Sequence, residues 1–412
     1  MNMISPHQST GQRENRREEC FGSAELAFSR ADGRGVLQAF NDVFLKAADL
    51  TPAEAMGMPY DSQCHDEMPK AIFQTMWKRL DKGLPAGVYL KNRAKGDVNC
   101  WVFAIIVPTP DAGFVSVHLR PSSEHYELIQ DLYPLLRKGE QENGVSAEQS
   151  AAHLTQLLNE HGYSDYNQFE ARALAAELSD RAEKLTRVVN PRLSLMLTLF
   201  NAARIVREER QSVMGVLDTL RLLPTNMRLI SHRIEYGHGP LSTLSERYGA
   251  MADVLLMQLS NLIGSDSNSE AAETEALFAC GIEVLLREAV EALADRNRGL
   301  ESVDLVAEQT RLSALADVAA HTSREGMVLT GRSAARLARE LEMLQRSTQA
   351  LDSIRVMSRV EFGQMVTRSR DLAHVIQCVE ESHKEIRAHL ARLSEAVLQI
   401  EEVGGLLLRQ AG

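Results

Sequence analysis

The apolar and polar positions divide the chain into two stretches of unlike period. In the first, Val98-Asn-Cys-Trp-Val-Phe-Ala-Ile-Ile-Val107 and Gly113-Phe-Val-Ser-Val-His-Leu119 are short runs rich in β-branched and aromatic residues, bounded by Pro, Gly and Asp. Such runs predict the strands of a sheet. Between Met68 and Lys82 the apolar residues return at helical spacing, so a helix is expected there. Beyond about residue 125, Leu, Ala, Glu and Arg dominate and proline is sparse, which predicts long helices. The period is clearest in Ile386, Leu390, Leu393, Val397 and Ile400, whose alternating steps of four and three make a coiled-coil or bundle seam. Leu174, Leu178, Leu185 and Val188 hint at the same period, with Arg181 interrupting it. Breaks are expected at Asn190-Pro191, Leu223-Pro224, Gly237-His-Gly-Pro240, Gly264-Ser-Asp-Ser-Asn-Ser269 and Asp295-Arg-Asn-Arg-Gly299.

Composition sharpens the division. Of 12 prolines, eight lie at or before Pro121, together with both tryptophans and seven of the 11 phenylalanines. The expected organisation is a disordered tail over 1–20, an α+β domain over 21–125, a helical linker over 126–165 and a helical bundle over 166–412. The 45 basic and 56 acidic residues leave a net charge of −11, which argues against non-specific nucleic-acid binding. Apolar runs fall far short of the roughly 18 residues a membrane helix needs, and the polar N-terminus has no signal-peptide core, so a cytoplasmic protein without a membrane span is expected. The five cysteines are widely spaced and signal neither a disulfide framework nor a zinc site. Ser231-His232 ahead of Pro240 has the wrong spacing for a phosphoacceptor box, and no ATP lid, P-loop, G-x-S-x-G or H-E-x-x-H pattern follows. The expectation is therefore that the chain is not an enzyme.

Asn41-Asp-Val-Phe44, His65-Asp-Glu-Met-Pro-Lys-Ala-Ile-Phe-Gln-Thr-Met-Trp77, Lys91-Asn-Arg93, Lys95-Gly-Asp97 and Trp101-Val102 stand in a recognisable order. The stretch from 21 to about 125 resembles the PAS domain of bacterial aerotaxis receptors, whose pattern reads N-D-x-F, R-H-P-D-M-P-x-x-x-F-x-x-x-W, G-x-P-W-x-G, K-N-R-x-K-x-G and Y-W-V. The resemblance implies a small curved antiparallel sheet with short helices on one face and an apolar slot between them. It also implies FAD as the cofactor, with Asn41, His65, Glu67 and Trp77 at the matching positions and Lys91 and Arg93 as a source of charge. Haem, or no cofactor at all, are the alternatives. Cys64 stands where the family has arginine, Glu67 where it has aspartate, and Ala86 where it has tryptophan. Taken by themselves, Trp77 and Trp101 also suit a core, His65 and Asn41 suit helix-start or turn positions, and Cys64 beside His65 suits a reactive thiol.

Thr225-Asn226 through Ile234-Glu235 and Gly237-His-Gly239-Pro240 to Glu246 resembles a shortened form of the chemoreceptor hairpin tip. That likeness implies Asn226, Glu235, Gly237 and Gly239 as partner-binding residues for a chemotaxis kinase, a coupling protein or other chemoreceptors. Between Glu235 and Gly239, however, the step is four where the family has ten. Glu208-Glu209 suits either a methyl-accepting pair or solvated charge. The fold class expected is an α+β PAS domain followed by a long all-α hairpin or bundle. The function expected is that of a homodimeric signal-transduction sensor in which the redox or ligand state of the PAS domain is relayed through coiled helices. The rival is a cofactor-free PAS scaffold that docks on other receptors or regulators.

Overall fold

The structure, a computed structural model, describes residues 21–94, 98–142, 144–234, 243, 246–247, 249–251, 253–255, 257–258, 266–295, 304–363 and 370–410. It divides into two compact units, Met1–Val189 with Gly281–Ala319, and Asn190–Cys280 with Ala320–Gly412.

The first unit is built on a five-stranded antiparallel sheet in the order β2-β1-β5-β4-β3. The strands are β1 (Ala27–Ala31), β2 (Leu37–Phe40), β3 (Ala86–Ala94), β4 (Val98–Pro108) and β5 (Phe114–Leu119). β4 and β5 fall on the two apolar runs expected to be strands. Between β2 and β3 the chain forms α1 (Asp42–Ala48), α2 (Pro52–Ala55), a 3-10 turn (Tyr60–Gln63) and α3 (Lys70–Leu80), the last on the expected helical stretch. Local chemistry sets these starts. Asn41 caps α1, and Thr51 with Glu54 forms a capping box on α2.

Strand pairing aligns Tyr89, Phe103 and Leu119 in one row across the sheet, and Val88, Ala104, His118 and Ala27 in the next. Adjacent rows face opposite sides of a pleated sheet. The Tyr89 row is covered by α4 (Glu124–Glu142) and α6 (Tyr166–Lys184), while α5 (Ala147–Glu160) packs against α3, α4 and α6. Tyr89 lies 6.0 Å from the Tyr126 ring and 6.2 Å from Phe169, and Trp101 lies 5.6 Å from Tyr126. The His118 row is covered from the other side by α1, the 3-10 turn and α3. We call it the inner face.

α4 and α5, which make up most of the expected linker over 126–165, belong to the compact unit of the sheet, and the second unit begins at Asn190 where residue 166 was expected. The reason is burial: Tyr163, Tyr166, Phe169 and Leu174 are all buried. Helical composition reveals an apolar stripe without revealing the surface that covers it. Arg181, which interrupts the expected seam, is buried because it ion-pairs with Glu288 and donates to the carbonyl of Ser23 at 2.8 Å. α6 then ends at Lys184, and Thr186 takes a left-handed φ of 54°, so Leu185 and the exposed Val188 lie off the expected helix.

The second unit contains α7 (Pro191–Ile234), the earlier part of α8 (Asp266–Asp295), the later part of α9 (Leu305–Gly363) and α10 (Arg370–Gln410). α7 starts where expected, since Asn190 Oδ1 accepts from the N–H groups of Arg192 and Leu193 at 3.0 and 3.3 Å. It continues through Pro224, where a break was expected. A proline inside a helix costs about 3 kcal/mol, which a helix of 44 residues bears. Ile386, Leu390, Leu393, Val397 and Ile400 are all buried within this unit, as a seam requires. Asn226 lies in α7, whereas the expected tail over 1–20, Glu235, Gly237, Gly239, the turn up to Pro240 and the break after Asp295 lie outside the described residues.

Candidate ligand-binding site

β5 reads Phe114-Val-Ser-Val-His-Leu119, and all six residues are buried. Alternation sends Phe114, Ser116 and His118 to the inner face and the two valines and Leu119 to the other. A serine and a histidine two residues apart in an apolar buried strand require partners. They find each other and Tyr60: Ser116 Oγ lies 2.6 Å from His118 Nε2 and 2.9 Å from Tyr60 Oη, and Tyr60 Oη lies 3.3 Å from His118 Nε2. Burial lowers the His118 pKa to about 4, so its imidazole is neutral at pH 7. The Tyr60 phenol is raised by the same loss of water, only partly offset by its bond to Ser116.

Aromatic rings wall this cluster. Phe44 lies 6.2 Å from His118, Tyr60 meets the Phe114 ring edge-on at 5.1 Å, and Trp77 meets it at 5.9 Å. Ser29 on β1 pairs directly with Ser116, is 1% exposed, and has an Oγ without a hydrogen-bond partner. An unsatisfied buried hydroxyl costs roughly 1–3 kcal/mol, and this one lies beside the polar cluster. Tyr60, Ser116, His118 and Ser29 are the site residues that sequence reading missed. The signal available was the polar i, i+2 pair within the apolar run of β5.

The residues expected to bind the cofactor do not converge on one site. Trp77 reaches the inner face, half-buried. Asn41 lies in the core beside β1, with its amide committed to the backbone: Oδ1 accepts from Phe28 and Phe44 at 3.0 and 2.9 Å, and Nδ2 donates to the Leu26 carbonyl at 2.8 Å. This is the cap role that its position allowed. His65 sits on the rim, where the Cys64–His65 segment pairs with the free edge of β3; the His65 N–H donates to the Lys91 carbonyl at 2.8 Å, and its Nδ1 accepts from the Glu67 N–H at 3.2 Å. Lys91 ion-pairs with the exposed Glu67, and Arg93 with the exposed Asp66. Lys91 also lies 5.9 Å over the Trp101 ring. Lys91 and Arg93 share a face, as alternation requires, but it is the Tyr89 face. Among the described residues, the inner face of the sheet carries no lysine or arginine to meet a pyrophosphate. These six residues therefore do not fit FAD.

Cys64 does not have the chemistry of an activated thiol. Burial, with Asp61 nearby, pushes its pKa up to about 12, so neighbouring His65 does not yield a thiolate. Cys280 and Cys378 form no disulfide, whereas Cys100 on β4 is disulfide-bonded, which the wide cysteine spacing did not signal. In the second unit, Glu208 pairs with Arg204, and Glu209 bridges to His389 and Arg392 at 2.6 and 2.7 Å. No helix among the described residues is long and apolar enough to cross a membrane, and no group of three or more His, Cys, Asp or Glu among them could hold a metal ion.

Set beside known proteins, the chain is 33% identical over 115 residues to the aerotaxis receptor of Escherichia coli strain K12. The front domain, a five-stranded antiparallel sheet with short helices inserted between β2 and β3, has the PAS fold. The match covers 27% of this chain and 23% of the receptor, so the likeness spans less than a quarter of that relative's length. No family model matches the chain. The solved structure of the Erythrobacter litoralis EL346 blue-light activated histidine kinase is similar at 12% identity and a TM-score of 0.25, over 59% of this chain and 73% of that one. The inner cluster of Tyr60, Ser116 and His118 thus belongs to a PAS domain, and the long helices follow it.

Proposed function

We propose that the chain is a non-catalytic, cytoplasmic signal-transduction protein whose PAS domain holds a small, flat, uncharged ligand on its inner face. Occupancy is relayed through the helices to a partner protein. The observation that carries this reading is the unpartnered Ser29 Oγ beside the Ser116–His118–Tyr60 cluster, within walls of Phe44, Phe114 and Trp77. Neutral hydrogen-bonding groups in an aromatic setting suit the polar edge of a planar ring, and the inner face offers no cation for a phosphate. A homodimer working with other receptors, or with their kinase and coupling protein, is the partner side of this reading; it is supported by the likeness of the PAS domain to an aerotaxis receptor.

The test is titration of the purified chain with riboflavin, an uncharged flat heteroaromatic, and with FAD, its charged dinucleotide counterpart, followed by flavin fluorescence and thermal midpoint. Riboflavin should bind at least about tenfold more tightly than FAD, and Ser29→Ala and His118→Phe should each weaken it by about 1–3 kcal/mol. If native mass spectrometry finds no resident small molecule and neither flavin raises the midpoint, the ligand reading is wrong. The PAS domain would then be a docking module.

A further inference from the structure

α3 covers the inner face and also packs against α5 and α4 of the helices that follow the strands. Its Trp77 meets Phe114 on the inner face, while both of its ends are held by buried carboxylates from α4 and α6. At the N-terminus, Pro69 supplies no side-chain cap, so the first N–H groups of α3 need another acceptor. Glu140 on α4 provides it, accepting from Lys70 N–H at 2.9 Å and Ala71 N–H at 3.2 Å with its own side chain fully buried. In the last turn, Arg79 Nε lies 3.1 Å from Glu170 Oε1 on α6 and 2.7 Å from the Pro85 carbonyl. The other oxygen of Glu170 accepts from Gly87 N–H on β3 at 2.8 Å. Buried carboxylates that serve as backbone acceptors do not yield gradually, because a displaced one is left without its partners.

We infer that α3 is the coupling element of the molecule: a displacement of Trp77 at the inner face is transmitted to α4 through Glu140 and to α6 through Glu170. The inference rests on the reading above only in taking the inner face as the input. Glu140 and Glu170 are positioning residues, since neither touches the inner cluster. The helix cannot move at Trp77 without loading both clamps, as a rigid helix carries motion along its whole length.

Hydrogen–deuterium exchange of the full chain tests this without any ligand. Trp77→Ala should raise exchange by about tenfold in α4 around Glu140 and in α6 around Glu170, with α10 unchanged. In a Glu140→Ala, Glu170→Ala background, which removes both acceptors, the same substitution should loosen α3 alone. Loosening of α3 with α4 and α6 unchanged in the otherwise native chain would overturn the inference, as would an effect undiminished by the double substitution. If Trp77→Ala unfolds the chain, seen as exchange throughout α10 as well, Trp77→Phe takes its place with the same two outcomes. Failure of riboflavin to bind would count against the ligand reading and leave this coupling standing.

Discussion

The hydroxyl of Tyr89, midway along the edge strand β3, donates to Glu177 Oε1 on α6 at 2.8 Å. The same carboxylate accepts from Ser123 Oγ at 2.8 Å and from the N–H groups of Ser122 and Ser123 at 2.6 and 3.3 Å, so one buried acid on α6 holds both β3 and the two serines ahead of α4. Loss of water raises the Glu177 pKa, against the lowering effect of these bonds. Glu177→Ala should destabilise the first unit by about 2–4 kcal/mol, because it leaves the Tyr89 hydroxyl and the Ser122 and Ser123 donors unmet. Tyr89→Phe should cost only about 1 kcal/mol. Urea denaturation followed at the aromatic residues separates the two; equal losses would show that Glu177 acts through packing alone.

Burial raises Glu170 to about 8, against the pull of Arg79 and the Gly87 N–H. An acid whose folded pKa lies above its unfolded value binds more protons when folded. Its contribution is full below the unfolded pKa, near 4.5, and is lost as the pH rises towards 8. Glu170→Gln should therefore flatten a decline in stability between pH 5 and 8 amounting to a few kcal/mol at most. Midpoints measured across that range check it, and a decline of the same slope in the variant would reject it.

His118 and His125 behave in the opposite sense. Burial lowers both to about 4, with Arg172 adding to the effect at His125. A histidine with a depressed folded pKa takes up protons on unfolding, so stability falls as the pH drops from about 6.5 towards 4. Neither ring should titrate above pH 5 in NMR spectra of the folded chain.

His125 differs from His118 in having no hydrogen-bond partner for either ring nitrogen, packed 5.9 Å from the Tyr163 ring and 5.8 Å from Phe169. Replacing an unsatisfied imidazole by a ring of similar size loses no bond, so His125→Phe should stabilise the chain by about 1 kcal/mol. Chemical denaturation gives the sign directly; destabilisation would mean that the imidazole has a partner in solution.

Cys64 should resist alkylation in the folded chain, because its thiol is held protonated by burial and by Asp61. Iodoacetamide at pH 7.5, with peptide mass spectrometry, should modify it only after denaturant is added. Rapid native labelling would instead restore the reactive-thiol reading.

The chain announced its two strands over 98–107 and 113–119, the helix near Trp77 and the closing seam because each is a local period that alternation or helical pitch imposes on neighbouring residues. The motif order from Asn41 to Trp101 likewise pointed to the PAS domain. What local periods left open was which partner each face takes. Lys91 and Arg93 share a side of β3, as spacing required, yet which side depended on the pairing of β3 with β4 and on the helices covering each face. Glu140, Glu170 and Glu177 look like surface charges on amphipathic helices; they are buried because their acceptors meet donors many residues away. Sequence determined the elements and the fold of the front domain, since these depend on neighbours along the chain. Only the tertiary structure decided the site and its clamps, because hydrogen bonds between distant residues are satisfied in space, without leaving a period to read.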